Sequence, residues 1–559
     1  MALGLFDVLG PVMHGPSSNH TGGAGRIGYL ARLIMGGQPD RVVLGFHPDY
    51  MKSYSAQHSH IGLIAGCLGI REYDVDFPIS LEKAADAGMA WEASPVESDQ
   101  VSRNTMRVTG YFPGGACWSV NGDSVGGGSI VVDAVNGIPV YLTGNEKVLL
   151  LFTEGGEADA RSELAAEAGD QSEAAAEATA RSELAAQTEA AVRSALVSRG
   201  LLTGSVFSGC GSDGRHCLFF CVKNLEQAEQ ALQDLPEPIR EALGKGRLKT
   251  RLVPPIYRFE DTGEEPLVSD FAGLLELLGR GEDYAEIAVR YEMQRSGVTA
   301  EEVLEQGRFL VSVIRDSLKR GESSSMEFIG GFADPGDGKK LYRFAESEKW
   351  SVSPGFTKAL ARAVTLAGMN ASGTNRIVAC PTGGSAGTLP AVLLTAAERY
   401  GADDETLAKA FLAAGLTGVL IGAKASFSGT VGGCQSEVGI GAAMGAAGVA
   451  WMAGATGEEA VQAAVIALKN VLGLSCDPPV PATEVPCIKR NAMGVAVAFV
   501  GADLGMAGVR SAVAPDDVVD ALADSQRRLP VEIKFGGRGG LAGTASGKAM
   551  METWKSRLE

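Results

Sequence analysis

Basic runs, histidine, cysteine and long apolar stretches are all scarce in this chain, and each scarcity excludes something. The 559 residues carry a formal net charge of -18 and no Lys/Arg-rich run. A nucleic-acid partner requires a basic face to meet phosphate, so that class is excluded. The nine cysteines form an odd, sparse set in a long chain, which does not describe a disulfide scaffold. A reducing cytoplasm is expected instead, where a cysteine fills a core, attacks as a nucleophile or binds a metal. The opening "MALGLFDVLG" has neither a basic start nor a long apolar core, so a secretory signal is not expected. The most apolar stretch, "VGIGAAMGAAGVAWMAGA" at 438–455, is mostly Gly and Ala and runs straight into "TGEEA". A membrane span needs about 20 strongly apolar residues; this stretch reads as a small-residue helix buried among other helices, and no membrane partner is expected.

The length exceeds one compact domain and suggests about three or four. Residues 1–145 mix strands and helices. "RVVLGF" and "SIVVDAVNGIPVYLTG" read as strands with turn glycines, and "GAGRIGYLARLIMGG" as a helix with a glycine stop. Residues 146–258 read as a small α/β unit of order β, helix, β, β, helix, β, the ferredoxin-like pattern. Its strands are "EKVLLLFTE", "TGSVFSGCG", "RHCLFFCVKN" and "LKTRLVPP", and Asn224 caps the helix "NLEQAEQALQDL". The first helix slot holds an Ala/Glu-rich insertion, about 156–199, containing "ARSELAA" twice. It favours helix but has few large apolar residues, so it is expected to be mostly solvated. From about residue 269 to 559 the pattern is nearly all helical, with Ser269 and Asp270 as opening caps and Gly-rich loops between helices. The fold class expected is therefore multidomain α+β, ending in an all-α domain.

Three cysteines in that helical part sit in Gly- or Pro-rich loops rather than mid-helix. Cys434 lies in "GTVGGCQSEVG", Cys476 in "LSCDPPV" and Cys487 in "VPCIKRNAMG", with 41 and then 10 residues between them. Stiff loops can aim thiolates at one point. Zinc would want four ligands, and no histidine occurs in 269–559. Three soft ligands with a vacancy suit an iron–sulfur cube. On spacing alone, three buried structural cysteines account for the pattern as well.

The words around the cysteines resemble a known family. "NASGTNRIVACPTGGSAGTLPAVLL", "GCQSEVG", "LSCDP" and "VPCIKRNAMG" are similar to the catalytic half of the iron–sulfur L-serine dehydratases, as are "IGGFADPGDGKKL" and "GGRGGLAGTASGK". The resemblance spans essentially all of 269–559. "GPVMHGPSSNHTGGAGRIG" looks like the "GPSSSHT" segment of the family's β domain, related to allosteric substrate-binding domains, and 146–258 lies where other members carry an ACT domain. The resemblance implies a 4Fe–4S cluster held by Cys434, Cys476 and Cys487 with one open iron. It also implies L-serine or a similar small amino acid as substrate, β-elimination to pyruvate and ammonia, and a homodimer. Three departures stand out. "YSAQHSHIGLIAG" replaces a "KGHGTDRA"-like run, "TEGGEADA" and the insertion replace the ACT ligand loop, and the tail "MMETWKSRLE" lacks the cysteine that ends some members. A relative acting on L-cysteine, L-threonine or another β-substituted acid, or a non-catalytic amino-acid-binding regulator, stays open.

β-Elimination from serine must remove a weakly acidic Cα proton and expel hydroxide. The "PTGGSAG" loop suits substrate binding: Thr382 and Ser385 supply hydroxyls, while Gly383, Gly384 and Gly387 allow close approach. A packing turn before the next helix is the alternative. Asn370 and Ser372 in "NASG", and Ser17, Ser18 and Thr21 in "GPSSNHT", are candidates of the same kind. Arg490 and Asn491 could meet carboxylate or sulfide. All six histidines precede the helical half; His20 is the first candidate for general base, with His58 and His60 behind it, and Lys340 or Lys489 as alternatives. "GPSSNHT" could instead bind an effector. No lysine sits in a convincing pyridoxal phosphate motif, so that cofactor is not expected. In "CGSDGRHCLFFC", Cys210, His216, Cys217 and Cys221 have a zinc-like look, but Cys217 and Cys221 share one strand face and read as core.

Overall fold

The computed structural model describes residues 3–96, 104–154 and 171–558. Its N-terminal part is a six-stranded sheet. The spatial order is Ala90–Pro95, Arg41–Phe46, Thr105–Tyr111, Cys117–Gly126, Ser129–Val135, Ile138–Leu142, antiparallel except for the first pair. "SIVVDAVNGIPVYLTG" folds as two strands because Asn136 and Gly137 both take positive φ (51° and 80°), the geometry of a tight hairpin turn. Helices Ala24–Met35 and Ser59–Leu68 pack side by side. Their backbones nearly touch: a Cβ on Gly66 would lie 2.3 Å from the Tyr29 nitrogen, so only glycine fits.

A second sheet is antiparallel throughout, in the order Leu248–Val253, Lys147–Thr153, His216–Val222, Leu202–Cys210. One face carries helices Gln171–Ser198, Leu225–Ala231 and Glu237–Gly244 over Leu149, Leu151, Leu218 and Phe220. The other face, with Leu150, Cys217, Phe219 and Cys221, merges into the core of the six-stranded sheet. Cys217 and Cys221 are therefore core residues, as period two implied. Asn224 caps its helix by accepting from the Gln227 amide at 2.9 Å. The described part of the Ala/Glu-rich stretch is a mostly exposed helix. The first "ARSELAA" falls outside the described residues, but Val192 and Leu196 are fully buried against the sheet. One apolar residue per turn over the last two turns is enough to dock an otherwise polar helix.

The helical part packs Pro354–Ala371, Thr388–Tyr400, Asp404–Gly422, Ile440–Met452, Gly457–Lys469 and Cys487–Met506 around one Ala-rich core. Helix Asp404–Gly422 is long and apolar enough to cross a membrane by composition, yet it is mostly buried within this core. Two features depart from an autonomous all-α domain. Leu5, Val8 and Leu9, from the chain's first helical turn, belong to this core. The helical part also contributes a strand, Arg376–Val378, which pairs antiparallel with Val12–His14. The Val12↔Val378 pairing brings the "GPSSNHT" and "PTGGSAG" segments, more than 360 positions apart, to the same place.

Candidate active site

Beyond that strand pair the chain turns through Ser18–Gly23, a single π-type turn. Ser17 caps it by accepting from the His20 amide at 3.1 Å. A second π-type turn, Gln435–Gly439, follows Cys434 and feeds helix Ile440–Met452. Such turns widen the helix and redirect side chains, and they concentrate at functional sites. The two turns face one small cavity lined by Pro16 to His20, Gln57, Gly384, Ser428 to Thr430, Glu437, Cys476, Thr483, Cys487 and Phe535.

Cys476 and Cys487 line this cavity, and Cys434 lies close to Cys476. Cys434 precedes the π-type turn, Cys476 lies in the loop before Cys487, and Cys487 opens helix Cys487–Met506. All three are buried and unpaired. The ligand atoms of Cys434, Glu437 and Cys476 lie within 4.8 Å of one another. The Cys476 thiol is pushed well above its ordinary value by its hydrogen bond with Cys434, by burial and by its acidic neighbours; burial and Cys434 do the same to Cys487. Arg490 donates to the Cys434 sulfur at 3.4 Å, to the Ser475 carbonyl at 2.7 Å and to Asp477 at 2.8 Å. Burial opposes the Arg490 charge, but Cys434 and Asp477 more than offset it. Asp477 in turn accepts from the Leu541 amide at 2.9 Å, tying in the "GGRGGLAG" segment.

Glu437 was not singled out in the sequence, although it stands inside "GCQSEVG". It accepts from the Thr382 hydroxyl at 3.0 Å, and its other oxygen lies 4.0 Å from the Cys476 sulfur. Desolvation pushes its carboxyl up to about 7, against the Thr382 hydrogen bond and the Arg490 charge. Two glycines make room for it. A Cβ on Gly384 would lie 2.8 Å, and on Gly429 2.7 Å, from its carboxylate oxygens.

His20 is buried at the cavity wall, where desolvation lowers it to about 4, so it is neutral at pH 7. Its Nε2 donates to Asn104 Oδ1 at 3.3 Å, and Asn104 Nδ2 donates to the Ser124 carbonyl. That arrangement fixes the Nε2–H tautomer and leaves Nδ1 as the acceptor, 3.4 Å from the Ser17 hydroxyl. The ring stacks on Tyr50, with centroids 4.8 Å apart. No sequence signal pointed to Asn104.

The other sequence candidates separate clearly. Ser17, Ser18 and Gly384 line the cavity; Ser18 also accepts from the Gly383 amide at 3.3 Å. Asn370 donates to the Pro16 carbonyl at 2.8 Å and so holds the "GPSSNHT" loop. Asn491 bonds the Gly384 carbonyl, the Gly387 amide and the Cys487 carbonyl, linking "PTGGSAG" to the cysteine helix. Thr382 is engaged by Glu437, Ser385 by the Cys380 carbonyl, Thr21 by the Gln57 carbonyl and Ser372 by the Met369 carbonyl. Arg490 holds sulfur rather than lining the cavity. Lys340 and Lys489 are exposed, and both pair with Asp337. Of the other two histidines, His58 packs on Gly373 and His60 on Tyr54 and Trp91; neither lines the cavity, where Gln57 takes the place beside them.

Comparison with known proteins decides the family. Residues 280–542 match the model of the serine dehydratase alpha chain. The L-serine dehydratase alpha chain of Peptoniphilus asaccharolyticus is 38% identical over 273 residues, 48% of this chain and 91% of the relative. This chain belongs to the L-serine dehydratase family. The probable L-serine dehydratase alpha chain of Bacillus subtilis is 36% identical over 266 residues, 48% of this chain and 88% of the relative. The probable beta chain of the same organism is 33% identical over 147 residues, 26% of this chain and 66% of the relative. Alpha and beta parts of the L-serine dehydratase family are thus joined in one polypeptide, an enzyme of the lyase class.

Proposed function

We propose that this chain converts L-serine to pyruvate and ammonia by β-elimination, with Cys434, Cys476 and Cys487 as thiolate ligands of a 4Fe–4S cluster. The observation that carries this reading is that Cys476, Cys487 and Glu437 line one cavity with His20, while the ligand atoms of Cys434, Glu437 and Cys476 lie within 4.8 Å of one another. The donor set fits the cluster. The Cys434 hydrogen bond and burial raise the Cys476 thiol, burial and Cys434 raise Cys487, and a multivalent cationic centre would let the thiols ionise together. When bound, such a cluster supplies a Lewis-acidic iron toward the leaving hydroxyl.

The protein's own groups supply the rest. His20 Nδ1, neutral and held by Asn104, accepts the Cα proton. Ser17, Asn19 and the backbone of Gly384 present polar groups for the substrate's carboxylate and ammonium. Phe535 and Tyr50 shield His20 from bulk water. Loss of the proton and hydroxyl as water gives aminoacrylate, whose imine tautomer takes up water to release ammonia and pyruvate. The strand order fourth, first, third, second supports reading 146–258 as a ferredoxin-like, ACT-like domain beside a β-type domain at 1–145 and a catalytic domain at 269–559.

Anaerobic purification, a visible absorption spectrum and a pyruvate assay test the proposal together. A brown protein that forms pyruvate from L-serine, resists hydroxylamine and loses activity on iron chelation in air supports it. Activity that resists chelation but falls to hydroxylamine refutes it.

A further inference from the structure

The cavity wall is made mostly of small or polar groups: serines, a threonine pair, Asn19, Gln57, two thiols and the bare backbone of Gly384 and Gly429. Phe535 is the one aromatic hydrocarbon side chain on it. It stands between the short turns Val531–Ile533 and Gly540–Gly543, and its amide donates to the Gly429 carbonyl at 3.4 Å. Its ring lies 6.4 Å from the His20 ring, the planes 25° apart. The side chain thus borders the space beside the proton acceptor, which would hold the substrate's Cα and, one bond away, its β-carbon. Elsewhere on the wall there is little slack: a Cβ on Gly384 or Gly429 would crowd the Glu437 carboxylate, and Cys476 and Cys487 are buried.

We propose that Phe535 sets the upper size of the substituent on the substrate's β-carbon, restricting this site to β-hydroxy amino acids as small as serine. The inference rests on the serine reading and refines it. A single methylene in an apolar pocket discriminates about 10–200-fold. Truncating Phe535 should therefore raise the threonine-to-serine ratio of kcat/KM by about tenfold or more.

The test uses the full-length, iron-loaded enzyme and its Phe535→Ala and Phe535→Leu variants. Turnover of L-serine and L-threonine is measured anaerobically. Calorimetry then gives Kd for L-alanine, L-2-aminobutyrate and L-norvaline, which lack a β-leaving group. The expected result is a graded rise in the threonine ratio, Leu below Ala, with a parallel gain in affinity for the longer analogues relative to alanine. An unchanged ratio and unchanged relative affinities in a folded variant overturn the proposal; Phe535→Leu carries the test if Phe535→Ala does not fold. Failure of the wild-type enzyme to turn over serine refutes the serine reading instead, and the analogue affinities then judge Phe535 alone.

Discussion

The Arg490 guanidinium donates to the Cys434 sulfur at 3.4 Å while a second nitrogen bonds Asp477 at 2.8 Å. One side chain thus joins the sulfur site to the loop of Cys476 and, through Asp477, to the Leu541 backbone. Outer groups of this kind typically alter metal affinity 10–100-fold. Arg490→Ala should lower iron content and speed the loss of visible absorbance in air by about tenfold or more. Arg490→Lys, which keeps charge but not the planar fork, should fall between.

Cys434→Ala, Cys476→Ala and Cys487→Ala should each abolish the chromophore and activity together. Cys210→Ala, at an exposed position in the second sheet, should spare both. A full complement of iron in the Cys476→Ala protein would remove that residue from the ligand set.

His20→Gln should lower kcat by about 10²–10⁴-fold with iron content unchanged, because a positioned base is worth that much. Asn104→Ala should lower kcat less and move the acid limb of the kcat–pH profile, since it frees the tautomer rather than removing the acceptor. Lys340→Ala and Lys489→Ala should leave kcat within about twofold, as both ammonium groups sit in solvent beside Asp337, whereas a lysine base would cost as much as His20.

His58 and His60 are lowered from 6.5 to about 4, chiefly by burial. The unfolded chain therefore binds more protons than the native one between these values. Their contribution to stability is complete above pH 6.5 and is lost as pH falls toward 4. Melting temperature should drop from pH 7.5 to pH 5, and His60→Phe should flatten that drop.

Leu9 is 1% exposed, and a Cβ on Gly415 of helix Asp404–Gly422 would lie 2.7 Å from its Cδ1. Leu9→Ala should cost about 2–5 kcal/mol in stability, seen as a lower unfolding midpoint of the helical part. An effect confined to the N-terminal sheets would contradict the placement of this segment in the helical core.

Local elements were legible in the sequence because their causes are local. Short continuous apolar runs made the strands around Val43 and Phe219, the Asn136–Gly137 pair made a hairpin, and Asn224 and Asp270 capped helices three residues before the amides they accept from. The words around Cys434, Cys476 and Cys487 marked the place of the candidate site for the same reason: each is a short, stiff loop at a helix boundary. Tertiary structure alone decided how those loops meet. The Val12↔Val378 strand pair seats His20 beside the cysteines, Thr382 finds Glu437, Asn104 orients the imidazole, and Lys340 and Lys489 turn to solvent. Leu5 and Leu9 likewise leave the domain next to them in sequence and enter the helical core. These contacts join positions tens to hundreds of residues apart, and no period, cap or spacing along the chain records which distant surface a side chain will meet once the cores have packed.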